Sequence, residues 1–163
     1  MAALDRFLTR LEQLGVELDV REMDSSTHTA ADAAAAVGVQ VGQIVKSLLF
    51  MADGEPLLVL VSGPNRVDTA ALGKRLGTPV TMADAKRVRE LSGFSIGGVP
   101  PFGHPAPLRT IVDPDLLSYD EVWAAAGSAT TVFGIEPSRL LELTRGEVLP
   151  VGADSGAERV SAD

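Results

Sequence analysis

The chain contains no cysteine. That removes disulfides, thiolate metal ligands and a thiol nucleophile together, and it suits a reducing compartment. Aromatic residues make up only 4% of the 163 residues, so a core has to be built from Ala, Val and Leu. No run of about 18 apolar residues occurs, so nothing reads as a membrane-spanning helix. The first residues lack the basic start and apolar centre of a secretion signal, and the expected location is the cytoplasm. Histidine is scarce too: His28 and His104 are the whole supply. There is no Gly-x-Ser-x-Gly elbow, no His-Glu-x-x-His pair, no Gly-Lys-Ser or Gly-Lys-Thr phosphate loop and no dinucleotide fingerprint. No metal site and no cofactor is expected. Cations are outnumbered, 14 Lys and Arg against 22 Asp and Glu, for a net charge of −8. Such a surface argues against coating nucleic acid electrostatically but permits a grip on one RNA end through a local patch. The lone tryptophan and tyrosine offer little for stacking on single strands.

What is present describes one globular domain. Hydrophobic residues make up 45% and charged residues 22%, both ordinary values. The domain is expected over 1–151, with 152–163 a small, polar, frayed tail. Leu4, Phe7, Leu8, Leu11 and Leu14 recur at helical spacing, with Gly15 as the stop. Val16, Leu18 and Val20 alternate with charged residues, as in a half-buried strand. Helices are expected over Ala30–Val37, capped by Thr27 or Thr29, over Ala70–Leu76, over Asp84–Leu91 and from Pro137 to about Leu143. Strands are expected at Gln43–Met51 and Pro56–Ser62 around an Asp53-Gly54 turn. Others are expected at Pro79–Met82, Leu108–Val112, Glu121–Ala126, Thr130–Ile135 and Glu147–Val151. Hairpins without a regular βαβ rhythm predict an α+β fold: one curved, mixed, largely antiparallel sheet, a partly closed barrel, ringed by short helices.

Two features carry chemistry. Lys46 is an ammonium in the middle of an apolar strand. Buried unpaired it would be costly, so either its stem snorkels to solvent or its head sits in a pocket for something negative or carbonyl-like. The second feature is the stretch from Gly93 to His104, dense in glycine and proline. Proline fixes φ and glycine permits turns, so Gly97-Gly98 ahead of Pro100-Pro101 describes a fixed backbone with uncovered amides. Read alone it is a helix-to-strand connection; read with Lys46 it is a place to receive an oxyanion. No general base accompanies the pair. His28 reads first as a residue at a helix entrance. Lys86, Arg87 and Arg89 read first as a solvated face, or as a contact for phosphate.

The ordered set of motifs resembles the YbaK/prolyl-tRNA-synthetase-associated domain family of trans-editing deacylases. The matching pieces are Lys46-Ser47-Leu48-Leu49, Arg66-Val67-Asp68, Met82-Ala83-Asp84, Gly93 to Gly103, and Thr110-Ile111-Val112-Asp113. The resemblance implies a mixed, partly barrel-like sheet and hydrolysis of the ester joining a wrong amino acid to tRNA. It implies that Lys46 contacts the terminal adenosine or aminoacyl end, and that the Gly97–Pro101 loop offers amides near the scissile carbonyl. It also implies attack by a ribose hydroxyl or a water rather than by a protein base. The candidate catalytic residues are therefore Lys46, Gly97 and Gly98; the candidate substrate-binding residues are His28, Ser47, Pro101 and Gly127. The implied partners are the acceptor end of a mischarged tRNA and a prolyl-tRNA or other synthetase, with a homodimer compatible and no membrane. Members acting on alanyl-tRNA(Pro) carry asparagine where this chain has Ser47. The Cys-tRNA(Pro) type has small polar and acidic residues where this chain has Ala124 to Gly127, Val132 and Phe133. Added bulk at Gly98 is expected to block substrate while sparing the fold. Two other classes stay open: a non-catalytic module binding tRNA or a synthetase, and a small-molecule esterase.

Overall fold

Four helices stop at a glycine in the left-handed region, Gly15, Gly38, Gly77 and Gly93, where the missing Cβ makes that conformation cheap. Three helices start on a side chain that accepts a main-chain N–H of the first turn: Thr29 from Asp32, Asp68 from Ala71, and Asp84 from Arg87. In the computed structural model, which describes residues 2–23 and 29–152, these signals delimit the elements closely. The helices are α1 (Ala3–Leu14), α2 (Ala30–Val37), α3 (Thr69–Leu76), α4 (Ala85–Ser92) and α5 (Pro137–Thr144). The strands are β1 (Val20–Glu22), β2 (Val45–Ala52), β3 (Glu55–Ser62), β4 (Val80–Met82), β5 (Arg109–Val112), β6 (Val122–Ala125), β7 (Thr131–Ile135) and β8 (Glu147–Val148). No helix among the described residues is long and apolar enough to cross a membrane.

The single sheet expected from the sequence is two sheets. One holds five strands in the order β4-β2-β3-β5-β8, the other three in the order β1-β7-β6. The β2–β3, β2–β4, β1–β7 and β6–β7 pairs are antiparallel, whereas β3–β5 and β5–β8 are parallel. Among the described residues the sheets are bridged at one isolated parallel pair, Ile44 to Trp123, and form no closed barrel. Two expected strands are shorter than their alternation suggests. The Val16 N–H still bonds back to the Leu11 carbonyl at 2.9 Å, and β7 meets the segment only at Val20–Glu22. The last strand pairs only over Glu147–Val148.

β3 explains how the core is divided. Leu57 to Val61 are all fully buried because both faces of the strand are covered. Leu58 and Leu60 enter the larger cluster with Phe7, Phe94, Phe102, Phe133 and Leu140. Leu57, Val59 and Val61 enter a second cluster with Phe50, Leu72 and Ile111. A third, small cluster packs Ala33 and Ala34 against Ile44 and Trp123 where the sheets meet. Phe7, Phe102 and Phe133 form an aromatic cluster with ring centroids 5.6 to 5.9 Å apart, only the Phe7–Phe133 pair being stacked. Leu58→Ala should cost about 2–5 kcal/mol. A fall in the urea midpoint with an unchanged slope checks this; an unchanged midpoint would show that the site is not close-packed.

Candidate functional site

β2 is paired with β3 along its whole length, but β4 covers its other edge only from Phe50 to Ala52. Between the Ile44 bridge and Phe50, no strand among the described residues pairs with that outer edge; the Ala83 N–H donates to the Leu49 carbonyl at 3.1 Å. A cleft of about 360 Å³ opens there. Its walls come from the start of α2, the stretch Ile44–Leu49, the β4–α4 junction, the glycine-proline loop and the β6–β7 hairpin. Ala33, Ala83, Ala124 and Ala125 make much of the lining small. Thr29, Lys46, Ser47, Ser128 and Thr131 bring hydroxyls and an ammonium to it, and the described lining residues include no carboxylate and no imidazole. Among the described residues no group of three or more His, Asp or Glu side chains is placed to hold a metal ion.

Lys46 is half-buried, and its Nζ donates to the Asn65 main-chain carbonyl at 2.6 Å. Its pKa is pushed below the usual lysine value, first by burial and then by the charge of Arg66, while Asp113 pulls the other way. Ser47 also lines the cleft, and its Oγ is buried with no hydrogen-bond partner among the described residues. Ser128 Oγ and Thr131 Oγ1 bond each other at 2.7 Å across the hairpin. Trp123, a residue composition alone had discounted, forms part of the wall. Its Nε1 donates to Glu121 at 3.1 Å, and the Arg21 guanidinium lies 4.8 Å from the ring centroid.

The glycine-proline loop is fixed from below. Phe94, Val99 and Phe102 are buried in the main core. His104, itself buried, donates from Nε2 to the Pro100 carbonyl at 2.7 Å, and burial pushes its pKa down. Arg6 Nη1 donates to the Gly93 carbonyl at 2.7 Å. Above these anchors the Gly98 N–H closes a turn onto the Ser95 carbonyl at 2.9 Å, with Gly97 at φ +93° in its third position. Positive φ there is what a type II turn requires, hence glycine.

These contacts redistribute the expected roles. Lys46, Ser47 and Gly97 meet at the cleft. Gly97 is exposed with nothing near its missing Cβ, and its N–H makes no hydrogen bond among the described residues. The expectation that Gly98 offers an amide is corrected: that N–H is engaged within the turn. Gly98 is a close-packing position, since a Cβ there would stand 2.9 Å from the Ser128 Cα and 3.0 Å from the Gly127 carbonyl carbon. Gly127 is likewise buried, against the Ala3 carbonyl beneath α1, and Pro101 is buried; neither lines the cleft. His28 lies outside the described residues. Asn65 and Asp113, unassigned by sequence reasoning, join Lys46 in one hydrogen-bonded chain. An asparagine in a Gly-Pro turn and an aspartate after a strand are common, so only their contacts reveal them.

The profile of a family described as the aminoacyl-tRNA editing domain matches residues 24–143. An uncharacterized protein, YwhH of Bacillus subtilis, is 30% identical over 86% of this chain and 90% of its own length. The proline–tRNA ligase of Nitratidesulfovibrio vulgaris strain DP4 is 32% identical over 78% of this chain, which spans only 21% of that enzyme. A crystal structure of a proposed trans-editing enzyme for prolyl tRNA synthetase superposes with a TM-score of 0.89 at 45% identity, covering 94% of this chain and 98% of the other.

The two loop glycines should part in their response to substitution. Gly98→Val should cost about 1–3 kcal/mol of stability by forcing the turn off the hairpin. Gly97→Ala, which faces open space, should cost on the order of 1 kcal/mol through its φ alone. Urea unfolding measures both; a wild-type midpoint for Gly98→Val would refute the close-packing role.

Proposed function

Because the chain belongs to the aminoacyl-tRNA editing domain family, we propose that it hydrolyses the ester joining a small, wrongly attached amino acid to its tRNA. The observation that carries this reading is the meeting of the Lys46 ammonium and the rigid Gly97 turn at one small-walled cleft. The terminal ribose enters with its acyl group directed toward the alanines of the wall. Lys46 binds the acceptor end, and the Gly97 N–H faces the carbonyl oxygen as negative charge develops on it. A water, or the neighbouring ribose hydroxyl acting on that water, attacks the carbonyl carbon. The acyl–oxygen bond breaks, the ribose oxygen takes the proton, and the free amino acid leaves. No side-chain base is needed, because an aminoacyl ester is activated and positioning with oxyanion stabilisation supplies the acceleration.

Residues 1–151 act in this reading as a single editing domain working in the cytoplasm, with 152–163 an appendage. The cations of α4 fit the tRNA. Val88 is buried and lines the cleft, while Lys86, Arg87 and Arg89 are exposed on the helix's other sides, alongside Glu90. They bring local positive charge to the edge of the cleft in an otherwise acidic protein. The acceptor stem lies against them, its terminal nucleotide reaching in past the exposed Met82 and Ile96.

Hydrolysis of a panel of mischarged tRNAs by the wild type and Lys46→Ala tests the function. The wild type should release at least one small amino acid, and Lys46→Ala should lower kcat/KM roughly 10- to 100-fold, the scale of one lost hydrogen bond to a charged group. Binding of tRNA without turnover on any member would instead support a non-catalytic module. Reversing charge at Lys86, Arg87 and Arg89 together should raise KM, with an effect that shrinks as salt is added. An unchanged KM at low salt would remove α4 from the docking surface.

A further inference from the structure

Lys46 does not hold itself in place. A lysine side chain surrenders much of its rotamer freedom when fixed. Here the exposed Arg66 also repels it electrostatically. What fixes it is the Asn65 carbonyl, and Asn65 is in turn tied at its other end. Its Nδ2 donates to Asp113 Oδ2 at 2.8 Å and to Asp115 Oδ2 at 2.7 Å, so both amide protons are engaged. Its main-chain N–H closes a turn onto the Ser62 carbonyl at 2.8 Å. Asp113 is 2% exposed and sits at the end of β5, its own N–H bonded to the Leu60 carbonyl at 2.9 Å. Its carboxylate accepts three donors: Ser62 N–H at 3.0 Å, Asn65 Nδ2, and Asp115 N–H at 2.9 Å. A buried carboxylate held by three neutral donors is a fixed point. It is joined to the ammonium by one residue.

We propose that Asp113 and Asn65 are positioning residues for the reaction: they act through the Asn65 main-chain carbonyl to hold the Lys46 ammonium at the cleft. Neither lines the cleft. The charged groups facing the ammonium are Arg66, which weakens its hold on the proton, and Asp113, which strengthens it; Asp115 faces the Asn65 amide. The clamp is a statement about geometry, and its kinetic consequence rests on the deacylase reading above.

The test separates the two. The intact protein is labelled briefly with acetic anhydride at pH 8, and acetylation of Lys46 is read by mass spectrometry relative to the exposed Lys86. In Asn65→Ala the main-chain carbonyl that holds the ammonium loses its side-chain tethers to Asp113 and Asp115 and no longer fixes the ammonium, and in Asp113→Asn the ammonium also loses the anion that favours its charged form. The Lys46-to-Lys86 labelling ratio should rise about threefold or more in both, because free, accessible amine is what reacts. On the same samples kcat/KM for the cleaved mischarged tRNA should fall about tenfold. In Asp113→Asn the alkaline loss of activity should move to lower pH, since protonated Lys46 is lost earlier when its pKa falls. Leu58→Ala, which weakens the core elsewhere, should leave the labelling ratio alone. An unchanged ratio in Asn65→Ala overturns the clamp, and a raised ratio with unchanged kcat/KM overturns its role in positioning. If Asp113→Asn does not fold, Asn65→Ala carries the decision. If the wild type cleaves no member of the panel, the functional reading falls, and the labelling ratio alone decides whether the clamp exists.

Discussion

Everything at the cleft follows from the unequal pairing of β2. One edge of the strand is spent on β3 from Val45 to Ala52, and the other is covered by β4 for three residues only. A strand buried on both edges could not meet a ligand, and one free on both would not hold its side chains still. Because β4 stops at Met82 and the chain turns away into α4, the first half of β2 remains open on one side while its register stays fixed on the other. The second sheet then closes over the gap, held by the Ile44–Trp123 bridge and the third core cluster. The cleft is the space left between two sheets that share almost no hydrogen bonds.

The loop that roofs this space is rigid for a reason separate from its glycines. Its buried side chains and the His104, Arg6 and Ser92 hydrogen bonds hold it at several points along its length. Glycine is required where the turn needs positive φ, at Gly97, and where the loop meets the hairpin backbone, at Gly98. The loop and the β6–β7 hairpin are thus in direct main-chain contact, and the position of the Gly97 amide depends on a hairpin far along the chain.

Local signals were legible in the sequence because they act over a few residues. Thr29, Asp68 and Asp84 start helices, and Gly15, Gly38, Gly77 and Gly93 end them, wherever the chain goes next. The β2–β3 hairpin was legible for the same reason, as were Lys46 and Ser47 as adjacent residues on it. Lys46, an oddity in an apolar strand, lies at the cleft. What was not legible is set between distant residues. Alternation at Val16–Arg21 marks burial but not a partner strand, so β1 is shorter than it reads. The division into two sheets depends on which edges meet. The assignments of Gly98 as a donor and Gly127 as a pocket residue missed because glycine looks alike whether it offers an amide or admits another backbone. Asn65 and Asp113 lie 48 positions apart and carry no pattern at all until the turn after β3 meets the end of β5.

The cleft's polar groups are unequal in their state of satisfaction, and that inequality bears on selectivity. Ser128 and Thr131 pair with each other, and Lys46 has the Asn65 carbonyl, whereas Ser47 Oγ is buried without a partner among the described residues. A buried hydroxyl left unpaired costs about 1–3 kcal/mol, and a ligand group that pairs with it recovers that cost. The alanines around it act more weakly: one methylene more or less in an apolar wall discriminates by about 1–3 kcal/mol, whereas a missing polar partner can discriminate far more strongly. Under the proposed deacylase reading, size sets an upper bound on the acyl group, and the hydroxyl at Ser47 sets a preference within that bound. Both terms act on the amino acid alone. In that reading the nucleic acid is held through a different set of charges, Lys46 and the cations of α4, so affinity for tRNA and choice of acyl group become physically separable.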